Sequence, residues 1–261
     1  MIAVIISPTV SAEDNEIPLS ADDWARGVVV VVYGSQYGTG FWINPSHVAT
    51  AAHVVSYQSN ARVTIVRGNI RLQGIVVAIN SQTDVAVIQV QGADQIQDKY
   101  IFRIARNMPE VGSTIYVIGY PSELLQVMGS IEAMSENPRV LRSSLTWSAN
   151  GLIELGGITD AGNSGGPVVD SSGNVIGLVS FALRGEAGTL YFATSAGNLK
   201  ELCDEHNIAY SEGLGSILPD NPALAGAVAG MSASLVTDIA ILLAGIGIGT
   251  GVLAMKRRRG R

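Results

Sequence analysis

Short runs of valine and isoleucine, cut apart by glycine, asparagine, proline and serine, dominate this chain from about Asp23 to Ala196. The punctuation recurs roughly every eight to twelve residues. The runs are GVVVVVYG, GTGFWIN, ARVTIVRG, IRLQGIVVAIN, DVAVIQVQ, STIYVIGY and NVIGLVSFAL. β-Branched side chains lose freedom in a helix and pack well on a pleated surface, so these runs are expected to be strands. No helix-period segment stands between them, as parallel βαβ units would require. The cadence predicts an all-β sandwich or barrel, with Asn198 to His206 the one convincing helix in the region.

The 261 residues suffice for one large domain or two small ones. A net charge of −6 gives no basic field to attract nucleic acid. The single cysteine, Cys203, excludes an internal disulfide and any multi-cysteine metal site. It is expected to be a small buried contact of the helix.

The ends point to a membrane. From Ile239 to Met255 the chain carries no charge, and as a helix this stretch would span about 26 Å against a hydrocarbon core of about 30 Å. Lys256-Arg257-Arg258-Arg259 follow at once, and such a basic cluster favours the cytoplasmic side. Gly245, Gly247, Gly249 and Gly251 are spaced either for helix-on-helix packing or simply as a glycine-rich anchor. At the other end, MIAVIISPTVSAED is either the tail of a secretory signal, with Val10-Ser11-Ala12 as cleavage site, or a frayed start. The expected division is residues 1–22 as signal remnant and N-terminal segment, 23–206 as the folded domain, and 207–233 as linker. A single transmembrane helix over 234–255 and a cytoplasmic tail over 256–261 complete it, with the domain outside the cytoplasm.

Three residues can do chemistry together. His53 sits in TAAHVV, where a strand runs out into a turn and can aim its ring into a cleft. Asp84 opens the strand DVAVIQV, and Ser164 lies in GNSGGPVV. A serine is a weak nucleophile until a base takes its proton, and that base needs a carboxylate to fix its tautomer. A glycine-rich loop can present the N–H groups of Gly162, Asn163 and Ser164 to a developing oxyanion.

These three motifs, in the order His, Asp, Ser, resemble the signatures of chymotrypsin-fold serine proteases. GNSGGPVVDSSGNVIGLVS is similar to the HtrA/Deg branch in particular, over roughly residues 24 to 197. The resemblance implies two six-stranded antiparallel β-barrels, the first (about 24–106) supplying His53 and Asp84, the second (about 110–197) supplying Ser164. It places the oxyanion N–H groups on Gly162 and Ser164. It puts Ile158 at the base of the primary specificity pocket beside Thr159, the backbone of Ser180, Phe181 and Ala182 along the substrate, and Leu190 on a pocket wall. A pocket with no carboxylate and an aliphatic wall is expected to take small or aliphatic residues rather than Arg or Lys. The HtrA branch usually carries a C-terminal PDZ module, and none is expected between Ala196 and the span. Digestive relatives have an aspartate before the serine that pairs with a new N-terminus. Here stands Asn163, so no activating cleavage is expected.

Of the other residues, His47 is expected to face solvent in a turn, and His206 to end the helix. Asp170 is expected in a hairpin turn with Ser171, Ser172 and Gly173, and Trp24, Trp42 and Trp147 in core or rim packing. The function expected is a membrane-anchored serine endopeptidase acting on proteins or peptides without metal or organic cofactor. The alternative is a catalytically silent module on the same fold that binds peptides as an added strand.

Overall fold

A computed structural model describes residues 20–157, 161–186 and 188–213. The first barrel is built from β1 (Val28–Tyr33), β2 (Gln36–Trp42), β3 (His47–Thr50), β4 (Arg62–Arg67), β5 (Ile70–Asn80) and β6 (Val85–Val90). It closes in the order β1-β2-β3-β6-β5-β4, with β4 returning to β1. After a short strand β7 (Arg103–Ala105), the second barrel uses β8 (Thr114–Gly119), β9 (Arg139–Ala149), β10 (Leu152–Leu155), β11 (Pro167–Asp170), β12 (Asn174–Gly185) and β13 (Gly188–Ser195). Its order is β11-β8-β9-β10-β13-β12, closed by pairing of β12 with β11. Within both barrels every pairing is antiparallel. β7 and the two-residue β14 (Glu212–Gly213) add in parallel beside β12.

The two-barrel expectation is met, and the burial explains why the sequence lacks a clean polar alternation. Val28 and Val30 of β1 face a core shared by both barrels, where Phe41, Phe102, Ile118 and Tyr120 also lie. Val29 and Val31 face the interior of barrel one with Trp42, Ile65 and Ile88. On β8, Ile115 and Val117 fill barrel two, while Tyr116 and Ile118 point to the shared core. A strand that closes one barrel and lies against the other is apolar on both faces. Each fully buried valine contributes about 1.5–3 kcal/mol relative to exposure. Tyr120 carries the shared core to its polar limit. Its hydroxyl lies 3.1 Å from the Val28 carbonyl and 3.0 Å from the Ser135 carbonyl, and burial raises its pKa.

The helices differ from expectation. The C-terminal helix, α4 below, is present as Ala196–Glu205, capped by the Ser195 hydroxyl, which accepts from Gly197 N–H. Three more precede it in the chain: α1 (Ala21–Ala25), α2 (Ser122–Met128) and α3 (Ile131–Ser135), and the last helix is therefore α4. Their brevity hides them from periodicity, since five to seven residues give too few turns to show a stripe. α3 does carry a start signal, Ser130, whose hydroxyl accepts from Ala133 N–H. Cys203 is fully buried on α4, as expected, and burial pushes its thiol up to about 12. Trp24 and Trp42 are core residues and Trp147 is exposed on β9. Among the described residues no helix is long and apolar enough to cross a membrane. Residues 1–19 of the expected N-terminal segment, most of the expected linker (from Leu214 on), the expected span over 234–255 and the basic tail lie outside the described residues.

Candidate active site

His53 is carried by a single 3-10 turn, Ala52–Val55, which follows β3 directly. The turn has no cap from its own neighbourhood, and Asp84 supplies one from the start of β6. The Asp84 carbonyl accepts from Ala52 N–H at 3.2 Å, and carboxylate Oδ1 accepts from His53 N–H at 2.9 Å. The other oxygen, Oδ2, lies 2.8 Å from His53 Nδ1. A carboxylate at this site accepts, so Nδ1 carries the proton and Nε2 keeps the lone pair. His53 Nε2 has no partner among the described residues, and the His53 side chain remains 33% exposed. Asp84 adopts φ +57°, a conformation that costs a non-glycine residue about 1–2 kcal/mol and aims both its oxygens at the turn. Burial alone would raise the Asp84 carboxyl. The hydrogen bonds from His53 and Ser180 and the charge of His53 outweigh it and hold the group below the ordinary range.

Ser180 is the residue whose role the sequence reading missed. Its hydroxyl donates to Asp84 Oδ2, in addition to its expected place along the cleft. The cause is a β-bulge. Val179 pairs with Ala193 and Phe181 with Phe192, which leaves Ser180 as an extra residue in β12. Before the bulge Val179 points into barrel two; after it Phe181 stacks outside on Phe192, with ring centroids 5.1 Å apart. Bulges beside active sites re-aim side chains in this manner. No composition signal marks this bulge, because its residues are as strand-like as their neighbours.

The glycines around Ser164 are close approaches rather than loose turns. A Cβ on Gly162 (φ +92°) would strike the Tyr120 carbonyl, and one on Gly165 (φ +81°) would strike the Thr39 carbonyl and Thr50 hydroxyl. One on Gly166 would strike the Ile118 carbonyl. The Ser164 carbonyl accepts from Thr39 N–H at 2.8 Å, and a Cβ on Gly38 would meet that carbonyl at 2.9 Å and Val54 at 2.6 Å. The loop is thus seated on β2 and on the end of β3, beside the turn that carries His53. Thr39 was also missed by the sequence reading. Its hydroxyl donates to the Gly162 carbonyl at 2.7 Å and accepts from Tyr120 N–H at 3.1 Å, fixing the loop's backbone. Its position between two glycines in GTGFW is the signal that it could have been found by. The N–H groups of Gly162, Asn163 and Ser164 have no acceptor among the described residues, whereas Gly165 N–H is spent on the Val179 carbonyl at 2.7 Å. Asn163 is fully buried, and neither atom of its amide has a partner among the described residues.

His53, Asp84, Ser180 and Phe181 line one cleft of about 550 Å³, together with Tyr57, Asn150 and Asn198. Ser164 makes no side-chain hydrogen bond with His53 among the described residues, a contact that such sites commonly tighten only with substrate bound. Ala182 follows Phe181 on the exposed part of β12. Leu190 stands opposite Leu183 in the β12–β13 hairpin and is half exposed, outside that cleft. Ile158 and Thr159 lie outside the described residues. Asp170 ends β11 and its carboxylate accepts from Ser172 and Asn174 N–H at 2.9 Å each, which is the expected hairpin turn. His47 departs from expectation. It opens β3, half-buried, because the Asn44 side chain folds the preceding residues back onto it.

A profile of the trypsin-like peptidase domain matches residues 38–178, more than half of the chain. The chain belongs to the trypsin-like peptidase family. The putative serine protease HhoB of Synechocystis sp. is 33% identical over 159 residues, covering 60% of this chain and 36% of that protein. Serine protease Rv3671c of Mycobacterium tuberculosis is 29% identical over 180 residues, covering 63% and 42%. The solved structure of the latter protease in its active form matches with TM-score 0.58 at 22% identity, over 77% of this chain and 89% of that one. The serine endoprotease from Yersinia pestis matches with TM-score 0.56 at 20% identity, over 73% and 68%. At these identities the structural likenesses establish the fold. The resemblance to trypsin-like proteases of HtrA type is borne out by the family match and by relatives that carry those names, DegP-like endoproteases among them. The peptidase chain spans 22–42% of the length of the first curated relatives it matches.

Proposed function

We propose that this chain is a serine endopeptidase in which Ser164 is the nucleophile, His53 the general base and Asp84 the group that orients it. The observation that carries the reading is the double grip of Asp84 on His53, through backbone N–H and ring Nδ1 together. That grip fixes both the position of the turn and the tautomer of the ring, and leaves Nε2 free to accept. As Ser164 Oγ attacks a peptide carbonyl carbon, its proton passes to His53 Nε2. The negative charge that develops on the carbonyl oxygen is met by the N–H groups of Gly162 and Ser164. Collapse breaks the C–N bond, the amine leaves with the proton from His53, and water attacks the acyl-enzyme by the same relay in reverse. Ser180 steadies Asp84 as a second donor. Phe181 and Ala182, on β12 beyond the bulge, supply backbone for substrate pairing.

The substrate class follows from the pocket residues. Ile158, which the resemblance puts at the pocket base, offers no carboxylate to a basic side chain, so cleavage after Ala, Val or Ile is the proposed preference. The uncharged run from Ile239 to Met255 with its basic flank supports a membrane anchor with the peptidase domain outside the cytoplasm. An active-site fluorophosphonate tests the catalytic reading. Labelling of the native chain and none of Ser164→Ala is expected. Folded protein that binds peptide but never labels, even with unfolded protein added, would make it a peptide-binding module instead.

A further inference from the structure

The chain has three histidines, and the site above uses one. The other two, His47 and His206, line a single separate cleft of about 570 Å³, whose walls include Asn44, Gln89 and Asn207. Asn44 ties the two sides together. Its Nδ2 donates to the Ala209 carbonyl at 2.7 Å, while its Oδ1 accepts from His47 N–H at 2.9 Å and lies 3.0 Å from His47 Nδ1. A carbonyl can only accept, so the Nδ2 contact fixes which way the amide points. Oδ1 can then only accept as well, so His47 Nδ1–H donates to it, with the Ser46 hydroxyl a second neighbour of Nδ1 at 3.1 Å. The same logic applies to His206. Its Nδ1 lies 3.1 Å from the Leu202 carbonyl and therefore also carries the proton.

In the neutral form each ring thus holds its lone pair on Nε2, and neither Nε2 has a protein partner among the described residues. Two imidazoles on one cleft, each with Nδ1–H directed at an oxygen, have the outer-shell support that metal-ligating histidines commonly show. Gln89 is the direct cross-strand partner of His47 and adds an amide side chain to the same cleft.

We propose that His47 and His206 form a binding site for a borderline divalent transition-metal ion, Zn²⁺ or Ni²⁺, which clips barrel one to the chain that follows α4. Imidazole nitrogens without carboxylates suit these ions and not Ca²⁺ or Mg²⁺. Among the described residues no three or more His, Cys, Asp or Glu gather around a common point, so water and amide oxygens complete the coordination. Affinity is accordingly weaker than at a closed four-ligand zinc site.

The test is calorimetric titration of the purified full chain with Zn²⁺, alongside its melting midpoint with and without the metal. Saturable binding with a raised midpoint is expected, because an ion that binds the folded state alone stabilises it. His47→Ala and His206→Ala should each weaken binding at least tenfold, while His53→Ala should bind like the native chain. His206→Gln is a second variant at an exposed position, and it should fold and lose the same affinity. Absence of heat and of any midpoint shift at Zn²⁺ on the order of 1 mM overturns the proposal. So does full affinity in His47→Ala or His206→Gln, or a loss confined to His53→Ala.

Discussion

Asp84→Asn is the substitution whose outcome the geometry dictates most closely. The carboxylate meets three donors: His53 backbone N–H on Oδ1, and His53 Nδ1–H and the Ser180 hydroxyl on Oδ2. An amide must replace one oxygen with an NH₂ group that only donates. Turned toward the His53 backbone N–H, that group meets a donor that cannot rearrange. Turned toward His53 Nδ1, it meets a ring that can move its proton to Nε2 and a hydroxyl that can rotate. The second orientation wins, and the ring is then protonated on the nitrogen that should act as base. Loss of kcat by about 10⁴ at neutral pH is expected, equivalent to roughly 5.5 kcal/mol of transition-state stabilisation. The fold should persist, because the amide oxygen still accepts from the His53 backbone N–H and the new NH₂ group donates to His53 Nδ1. Acid stability tests the same carboxylate. The folded-state pKa of Asp84 is depressed, so its contribution is present above the unfolded value of about 3.9 and is lost as pH falls through the folded value. The variant should therefore show a shallower acid limb of unfolding than the native chain. Peptide-ester hydrolysis gives the rate and ¹⁵N chemical shifts of the imidazole give the tautomer. A folded Asp84→Asn within tenfold of native activity, or one that keeps its proton on Nδ1, would refute the reasoning.

Other outcomes follow from contacts around the serine loop. Gly162→Ala places a methyl group against the Tyr120 carbonyl at φ +92°, and activity is expected to fall at least about 100-fold with the barrels intact by circular dichroism. Asn163→Asp buries a carboxylate with no described partner, so its folded pKa rises above about 3.9 and stability is lost as pH increases from there toward neutral. Melting scans should show the variant near native below pH about 4 and worse by about 3–5 kcal/mol at pH 7. Exposing a new amine near Ala21 should leave the activity of the native chain unchanged, since Asn163 cannot form an ion pair with it. Cys203, with its thiol pushed up to about 12, should resist alkylation at pH 8 in the native state and react once denatured.

The fold was legible because closing two barrels against each other leaves long Val/Ile runs apolar on both faces, which no surface helix tolerates. β9 was hidden for the opposite reason. Its burial pattern is mostly partial or exposed, and Arg139, Arg142, Ser143 and Ser144 dilute the apolar signal. The pairing of His53 with Asp84 was legible because each of these side chains sits in a short local motif at the edge of a strand. What stayed hidden were contacts made between motifs. Thr39 meets Gly162 across 123 positions and Ser180 meets Asp84 across 96, and both rest on backbone registers that composition does not encode. The bulge at Ser180 shows the physical reason. One unpaired residue turns every later side chain of β12 to the other face, so Ser180 and Phe181 both line the cleft. Deleting Ser180 would restore an unbroken ladder, with Phe181 still opposite Phe192 on the outer face. It would also remove the second donor to Asp84, so the register of β12 sets both the orientation of the candidate acid–base pair and the wall that substrate meets.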